Sequence, residues 1–530
     1  MHLAPPSGRH AALATLLICA CPALTLDPIV TDGTTGTPPD PATGQVTDGD
    51  GTTTAPAITD TSPSTGTPET ATGLMPETTT GLATTATTSE AGETTGTTGT
   101  DETTGTTGPS GCLGDIVGNP ACGGVTPYCV DGACVSCTEL DCIAAEPDKP
   151  ICAQDLGTCV QCQQNADCAA DPPICNQATG TCVQCTEHEQ CPATACNLET
   201  GLCFPEGPVL YVDNSPDAPT FCSDLKPDQG LSPEKPLCTL QNALGRVVEG
   251  QPTTIKIKTG TKPQNGIAEL PIGSYTVAMR HYGNTVPSLI ISFADPALTI
   301  NEGNLVFMHR IAVWNTSPSS DPLIACAGGE LGARLWLDQQ SIFGGRTAIR
   351  ANNCRVHVRR STITGNTIGG IDLAGPDGDL AKLWVENSYI TDNNGTKFAA
   401  IRMGDVTSAD ILFSTIALNK SPLAAIECIG NWSGQLTIRN SAIVNPGPLY
   451  GPACDANVTT SFQLPDSPDK AGLMSVFSTF ADGVFRAKLD GELKDIAVWH
   501  IGDPIIDHDG DPRPTVDSSP DYAGADRPSR

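Results

Sequence analysis

Apolar and polar residues follow one repeated pattern between positions 337 and 445. Each copy contains an apolar residue, a small polar residue three places later, an isoleucine two places beyond it and, in most copies, an asparagine three places further on. The copies begin at Leu337, Gln340 and Ile342 and continue as Ser361 with Ile363 and Asn366, Ser388 with Ile390 and Asn393, Ser414 with Ile416 and Asn419, and Ser441 with Ile443 and Asn445. The polar anchors are 21, 27, 26 and 27 residues apart. A period in this range predicts a solenoid.

The spacing inside each copy predicts strands. Apolar residues recur at every second position, as in Val356 and Val358, and β-branched residues dominate. A second short strand is predicted in each turn around the isoleucines at 349, 371, 401 and 426. Two or three strands per turn, joined by Gly and Asn corners that tolerate left-handed backbone, predict coils stacked about 4.8 Å apart. Ile and Val would fill the column, and Asn side chains would hydrogen-bond from turn to turn.

These repeats resemble the right-handed parallel β-helix proteins of the pectin-lyase-like superfamily, in their secreted bacterial surface form. Residues 211–213 and 239–244 are similar to the opening of such domains, and 507–514 with 520–526 are similar to their ending. Leu240, Ala243, Leu244, Val247 and Val248 fall at helical spacing, which predicts an amphipathic helix over the open end of the column. The implied fold for 208–530 is an all-β, right-handed parallel β-helix solenoid with an N-terminal capping helix.

Residues 1–21 are predicted to form a lipoprotein-type signal peptide. The apolar run at 11–20 is too short to span a bilayer. The sequence Ile18-Cys19-Ala20-Cys21 is similar to a lipoprotein processing site, which predicts acylation of Cys21; ordinary cleavage and release is the alternative. Membrane contact would then occur only through this anchor.

Residues 22–110 are predicted to form a disordered tether. Residues 31–110 consist mainly of Thr, Gly, Pro and Ala, with 11 acidic residues and no Lys or Arg. Such a segment buries little and repels itself, so we expect it to hold a folded domain away from a membrane.

Residues 111–207 are predicted to form a disulfide-rich region of small modules. The sixteen cysteines lie at 112, 122, 129, 134, 137, 142, 152, 159, 162, 168, 175, 182, 185, 191, 196 and 203. The motif Cys-Val-x-Cys repeats at 134, 159 and 182 and is taken as the unit. Cys-x-x-Cys pairs can ligate zinc, but the even count, the predicted export and the lack of aromatic core residues favour disulfides. Their connectivity stays open.

Six further cysteines fall in the β-helix. Cys222 and Cys238 are predicted to staple the entry loop. Pairing within or between neighbouring coils is predicted for the other four, which are Cys326, Cys354, Cys428 and Cys454. No Cys and His arrangement suggests a catalytic thiol.

The formal net charge of the chain is −31. Residues 111–207 contain 13 acidic residues and one lysine, and the tether has no base, so the acidity belongs mostly to the N-terminal regions. This balance argues against nucleic acid as a partner.

The resemblance implies that any chemistry would lie on one sheet and use Ca²⁺ on carboxylates with an Arg or Lys base, or a cluster of Asp residues. The Asp-Asp and Gly-His-Gly motifs of the galacturonan hydrolases are absent from the sequence. The best acidic set is Asp377, Asp379 and Asp405, with Asp410 nearby, which stacking would bring within reach of one Ca²⁺. The alternative is turn chemistry on a solvated corner.

A second candidate is a charged row formed by Arg350, Asp372, Arg402 and Glu427, each directly after the inward isoleucine of its strand. Alternation turns these four residues outward on successive coils. The row would either stabilise stacking as an ion ladder or bind charged sugars, and the structural role is favoured because no acid–base pair accompanies it.

Two further groups of polar residues are interpreted as structural. Asp507, Asp509 and Asp511 are similar to a calcium loop, but the glycine stands at the fourth position and no glutamate follows at the twelfth, so the run is not an EF-hand and a structural cap is expected. Four histidines, at 281, 309, 357 and 500, lack ligand spacing.

The leading hypothesis is therefore an exported cell-surface or secreted protein, expected to be a monomer, whose β-helix binds a polysaccharide or cell-envelope surface without catalysis and needs no cofactor. The alternative is a polysaccharide lyase or glycoside hydrolase acting on acidic polysaccharide, with Ca²⁺ as its cofactor. A scaffold for another surface protein is the third hypothesis, and the fold alone does not choose among them.

Overall fold

The structure is a computed structural model, and it describes residues 128–130, 133–137, 142–154, 157–213, 222–258, 268–283, 288–292, 296–315, 321–396, 398, 400–420, 423–467, 470–480 and 483–528. The predictions for the signal peptide, for Cys21 and for the tether lie outside these residues. The predicted all-β, right-handed parallel β-solenoid is confirmed, with a disulfide-rich region at 137–203 before it.

Three parallel sheets form the solenoid, and the described coils between 276 and 429 visit the long sheet first, then the eight-stranded sheet, then the seven-stranded sheet. The long sheet has ten described strands: Val209–Asp213, Thr253–Lys258, Thr276–His281, Leu305–His309, Ala333–Asp338, Cys354–Arg359, Lys382–Glu386, Ser408–Leu412, Leu436–Arg439 and Ala456–Thr459. The eight-stranded sheet contains Ser288–Ser292, Ile311–Asn315, Ser341–Phe343, Thr362–Thr364, Tyr389–Thr391, Thr415–Ala417, Ala442–Val444 and Phe462–Leu464. The seven-stranded sheet contains Ala268–Leu270, Leu298–Asn301, Ile324–Ala327, Thr347–Asn352, Gly369–Ala374, Ile401–Gly404 and Ile426–Ile429.

One apolar column runs through the coils. The isoleucines of the repeat stack in register on the eight-stranded sheet, as Ile342, Ile363, Ile390, Ile416 and Ile443, and all five are fully buried. Branched residues suit such a column because their side chains fill the pleated inner surface. The short helix Leu240–Leu244 buries Leu240, Ala243 and Leu244 in the same core. The helix ends at Gly245, which leaves Val248 56% exposed, so the predicted apolar stripe was too long by that residue.

The corner from the long sheet to the eight-stranded sheet follows the prediction of Gly and Asn corners only in part, because two of its seven left-handed residues are asparagine. Its left-handed residues are Arg310, Gln339, Arg360, Asn387, Phe413, Asn440 and Thr460, and none of these is glycine. The following serine explains how this backbone is held. Ser388 Oγ donates to the carbonyl of Glu386 (2.7 Å), across the left-handed Asn387, and accepts a hydrogen bond from the backbone N–H of Ser361 (3.0 Å). The pattern recurs at successive coils and offsets the cost of a left-handed non-glycine residue.

The predicted asparagine ladder is present inside the coils. The Oδ1 atom of Asn393 accepts from Asn366 N (3.2 Å) and Nδ2 (2.9 Å), and Asn393 Nδ2 donates to Asn419 Oδ1 (3.0 Å). These three side chains are fully buried. Each therefore satisfies polar backbone that would otherwise be stranded in the core.

The modules before the solenoid are small disulfide-bonded hairpins. The described hairpins pair Tyr128–Val130 with Ala133–Val135, Ile151–Ala153 with Thr158–Val160, Ile174–Asn176 with Thr181–Val183, and Cys196–Asn197 with Leu202–Cys203; a helix at Cys142–Ala145 and 3₁₀ turns at Asn165–Asp167 and His188–Gln190 complete them. The disulfides are 137–152, 142–159, 162–175, 168–182, 185–196 and 191–203. Each module thus joins its first cysteine to its third and its second to its fourth. Cys-Val-x-Cys is consequently the boundary between two modules and not the unit itself.

The C-terminal segment covers the side of the solenoid. It contains a 3₁₀ turn at Lys470–Leu473 and an antiparallel pair, Ala497–Trp499 with Ser519–Asp521. A second apolar core joins this segment to the outer face of the eight-stranded sheet through Tyr389, Phe413, Phe477, Phe485 and Trp499, among others. The run from Asp507 therefore belongs to a layer on the outside of this sheet.

Candidate functional site on the outer face of the long sheet

An aromatic row crosses the outer face of the long sheet. Strand alternation turns Phe307, Trp336, His357 and Trp384 outward, and parallel register places them side by side on successive coils. The His357 ring lies 3.7 Å from the Trp336 ring and 4.1 Å from the Trp384 ring, centroid to centroid, and is nearly parallel to both. Burial in this stack lowers the pKa of His357 to about 3, so the row is uncharged at neutral pH.

The stack has one end without an aromatic neighbour. Rings that stack face to face present their edges to solvent, so the faces of His357 are covered on both sides. At the far end, the residue in register with Trp384 is Asp410, which is exposed and much shorter than an indole. Thr437 follows in the next coil. The face of the Trp384 ring that is turned away from His357 therefore has no aromatic neighbour and lies next to polar residues of the following coils. We call this ring face, with the polar residues beside it, the step at Trp384.

A basic row runs beside the aromatic row. Arg334, Arg355 and Lys382 stand in register on three consecutive strands, two residues before the aromatic positions. Arg334 pairs with Glu199 (2.5 Å), whereas the guanidinium of Arg355 donates through Nε to the carbonyl of Asp379 (2.7 Å). Among the described residues, neither Arg355 nor Lys382 makes an ion pair. The ammonium of Lys382 lies 5.4 Å from the Trp384 ring centroid, so a positive charge stands beside the step.

A third row, on the other side of the aromatic residues, is ionic. His309, Asp338, Arg359 and Glu386 stand in register. Burial raises the pKa of Asp338, but Arg359 and Arg360 beside it lower that pKa overall. Burial raises the pKa of Glu386, an effect that Arg359 partly opposes. Glu386 is the one carboxyl of this row that lies on the same strand as Trp384.

The last cysteine-rich module docks on this face and covers the other end of the stack. Nη1 of Arg280 donates to three module carbonyls, those of His188 (3.1 Å), Cys191 (3.0 Å) and Thr194. Phe204 packs edge-on against Phe307, with ring centroids 5.8 Å apart. Such contacts fix the module against the sheet because they combine apolar burial with satisfied polar groups.

An ion network completes the docking of the module. The carboxylate of Glu187 contacts both Arg359 (3.0 Å) and Arg360, and the two arginines also hold Asp338. Burial lowers the pKa of His188 to about 3, helped by the neighbouring His309, so this histidine is neutral between module and sheet. The module and the solenoid therefore share one interface with the aromatic row at its edge.

The predicted charged row lies on the seven-stranded sheet, on a different face from the aromatic row. Arg350, Asp372, Arg402 and Glu427 stand in register on four strands. The carboxylate of Asp372 accepts from Arg402 through Nε (2.8 Å) and Nη2 (2.6 Å), and Arg350 lies 3.5 Å away. Both guanidinium groups are thus engaged by carboxylates. No observation assigns binding to this row.

The predicted calcium set is not assembled. Asp377 Oδ1 accepts from the backbone N–H of Asp379 (2.9 Å), and Asp405 Oδ2 accepts from that of Gly375 (3.3 Å). The first bond is an Asx turn and the second joins two neighbouring coils. The three carboxylates are not among the described groups with ligand atoms within 4.8 Å of one another. Such a group does exist at Asp507, Asp511 and Asp526.

The remaining cysteines whose side chains the structure describes are disulfide-bonded. The six cysteines of the solenoid form the disulfides Cys222–Cys238, Cys326–Cys354 and Cys428–Cys454. All the close cysteine groups of the modules are disulfide-bonded, so they do not offer thiolates to zinc. Across the described ranges, no helix is long and apolar enough to span a membrane.

The aromatic and basic rows were not predicted, although their signal is in the sequence. Trp336, His357 and Trp384 stand two residues before Asp338, Arg359 and Glu386, at the outward positions of strands that the apolar alternation identifies. Aligning the outward positions of successive repeats would have shown both rows.

Comparison with known proteins adds little on activity. A model described as a family of unknown function, DUF8331, matches residues 95–209, which include the cysteine-rich modules and end at the first strand of the solenoid. No curated protein matches the chain. Among solved structures, the crystal structure of pectate lyase Pel9A is similar at 12% identity with a TM-score of 0.33, over 60% of this chain and 96% of that chain.

Proposed function

We propose that this chain is an exported surface protein whose β-helix binds an acidic polysaccharide on the outer face of the long sheet, without cleaving it. The observation that carries the proposal is the step at Trp384, where an aromatic face stands beside Arg355 and Lys382. Export is supported by the nine disulfides among the described residues, because such bonds persist in oxidising compartments.

Each group at the step has a chemical counterpart in a uronate sugar. The C–H face of a pyranose ring is apolar and packs on an indole face, which removes apolar area from water. A sugar carboxylate would pair with the guanidinium of Arg355 or the ammonium of Lys382. The carboxylate of Asp410 would accept hydrogen bonds from sugar hydroxyls.

The register of the solenoid suits a polymer. Outward positions repeat along the solenoid axis at the strand spacing of about 4.8 Å, so Trp384, Asp410 and Thr437 form a continuous path. The docked module closes this path at the Phe307 end, since it covers that ring. A chain of sugars would therefore run from Trp384 toward the later coils.

The proposal is tested by measuring binding of the full-length protein to polygalacturonate, alginate and a neutral glucan by isothermal titration calorimetry. We expect binding to the acidic polymers to weaken about tenfold or more in Trp384→Ala, which corresponds to a loss of about 1.4 kcal/mol. The double variant Arg355→Ala with Lys382→Ala should lose preference for acidic over neutral polymer. Trp314→Ala is the matched control, because Trp314 stacks on Phe343 in another sheet.

Two results would refute the proposal. Trp384→Ala and Trp314→Ala binding equally well would remove the step as the site. Wild-type protein that binds none of the polymers, while retaining its melting transition, would direct the search to protein partners.

Cleavage of the same polymer is the second candidate, and one observation favours it. Glu386 lies two residues after Trp384 on the same outward face, and burial raises its pKa above the ordinary glutamate value. A carboxyl with a raised pKa is suited to proton donation. Appearance of unsaturated uronides or new reducing ends, lost in Glu386→Gln while binding is kept, would establish cleavage and overturn the non-catalytic reading.

A further inference from the structure

Three carboxylates meet in the C-terminal layer, away from the long sheet. Oxygen atoms of Asp507, Asp511 and Asp526 all lie within 4.8 Å of one another. Asp507 and Asp526 are 0% and 1% exposed, whereas Asp511 is exposed and connects the group with solvent. The three residues come from two separate pieces of chain, because the tight turn through Gly510 carries the first two and the final described segment carries the third.

The two buried carboxylates differ in the hydrogen bonds that they accept. Asp507 Oδ1 accepts from the backbone N–H groups of Gly510 (3.1 Å) and Asp511 (2.8 Å), and Oδ2 accepts from Arg527 N (2.9 Å). Within the part of the chain that the structure describes, neither oxygen of Asp526 accepts a hydrogen bond. Nε of Arg486 lies 3.3 Å from Asp526 Oδ2, but it does so without hydrogen-bond geometry, and this arginine also holds Asp509. A buried carboxylate without hydrogen bonds is costly unless another ligand takes its oxygens.

The local charge balance leaves an excess of about two negative charges. Five aspartates, at 507, 509, 511, 521 and 526, face three arginines, at 486, 513 and 527, and the arginines already pair with Asp509, Asp521 and Asp526.

We infer that Asp507, Asp511 and Asp526 bind one divalent cation, with Ca²⁺ as the best match. Carboxylate oxygens are the ligands that this hard cation prefers, and it tolerates irregular geometry in which backbone carbonyls and water complete the shell. The ion would balance the excess charge and supply the missing partner of Asp526. It would also tie the turn at 507–511 to the chain end at 526.

Such a tie would hold the C-terminal layer on the solenoid. Ala523 and Ala525 flank this segment and pack in the core that contains Tyr389 and Phe413. The backbone N–H of Ala525 donates to Thr415 Oγ1 (2.9 Å), which attaches the segment to the eight-stranded sheet. The cation would therefore stabilise a layer that is bonded directly to the coils.

The test uses the full-length protein after removal of metals with EDTA and dialysis. Titration with CaCl₂ should give one binding event by calorimetry, and a saturating concentration should raise Tm by about 3 °C, as expected for a ligand that binds only the folded state. Asp511→Asn is the first variant, because its side chain is exposed and its loss should not prevent folding. Asp526→Asn is the second, and both should weaken Ca²⁺ binding about tenfold or more.

Two controls separate this site from other acidic surfaces. Asp490→Asn removes an exposed carboxylate that pairs with Lys494 in the same layer, and Asp379→Asn removes a carboxylate from the turn at 375–379. Both controls should bind Ca²⁺ like the wild type. Folded wild-type protein with neither heat of binding nor a Tm shift would overturn the inference and leave a proton shared by Asp507 and Asp526. Unchanged binding in both Asp511→Asn and Asp526→Asn would overturn it as well.

Discussion

Replacing Asn393 with alanine tests whether the buried asparagine ladder holds the coils together. The substitution removes two hydrogen bonds accepted by Oδ1 from Asn366, and it removes the Nδ2 donations to Asn419 Oδ1 (3.0 Å) and to the carbonyl of Ile363 (3.1 Å). Some partners keep a second bond: Asn366 Nδ2 still donates to the carbonyl of Thr364 (3.1 Å).

Most of the expected loss of stability in Asn393→Ala comes from the backbone N–H of Asn366. Its only described side-chain acceptor is Asn393 Oδ1, and the residue is fully buried, so alanine leaves this donor unpaired. One stranded buried group costs about 1–3 kcal/mol, and the weakened partners add to it, so we expect a loss of about 3 kcal/mol. For a cooperative unit of about 320 residues this corresponds to a fall in Tm of about 4–5 °C.

The assay is differential scanning calorimetry of the full-length protein, with Asn394→Ala as the matched control. Asn394 is the neighbouring residue and is exposed, and its backbone N–H donates to the carbonyl of Asn366 (2.9 Å), a bond that alanine keeps. The control should melt within about 1 °C of the wild type, since exposed substitutions away from special contacts change stability little. Equal Tm values for the two variants would refute the ladder as a source of stability.

Three further predictions concern the contact between the last module and the solenoid, and one disulfide of the solenoid. Arg280→Ala should release the last module by stranding three carbonyls, at a cost of about 2–4 kcal/mol, and hydrogen exchange should show lost protection at 188–194. The pKa of His188 is lower in the folded protein than in the unfolded chain, so the unfolded chain binds more protons between pH 6.5 and about 3. As the pH is lowered through this range, the free energy of unfolding should fall by up to about 1.4 kcal/mol per pH unit. His188→Asn should flatten the profile of Tm against pH. Replacing Cys326 and Cys354 by serine opens a loop with a sequence separation of 28 and should cost about 3–4 kcal/mol in denaturant unfolding.

Each of these has an outcome that would contradict it. Protection at 188–194 that survives Arg280→Ala would mean that the apolar contacts alone hold the module. A Tm profile that is flat from pH 7 to pH 5 in the wild type would contradict a buried neutral His188. Unfolding of the serine variant at the wild-type midpoint would show that stacking already constrains the two coils.

Two sets of charged residues on the solenoid show how far the repeat predicts a site. The charged row from Arg350 to Glu427 and its register were predicted, because a repeat of known period places equivalent positions side by side. Its side chains pair with one another and with Asp321, as an ion ladder requires, and a role in binding stays a prediction. The calcium set of Asp377, Asp379 and Asp405 is not assembled for a related reason. The period places these residues on one corner, but an Asx turn at Asp377 and a bond from the Gly375 N–H to Asp405 decide where two of the carboxylates point.

The solenoid can be predicted from the amino-acid sequence alone. The repeat at 340–445 specifies strand spacing, the inward isoleucines and the asparagine ladder, and these depend only on period and side-chain type, because each coil contacts its neighbours in the same way. The docking of the last module and the meeting of Asp526 with Asp507 are visible only in the tertiary structure. These contacts involve residues outside the repeat, so no periodicity encodes them, and they depend on packing and charge pairing between different segments.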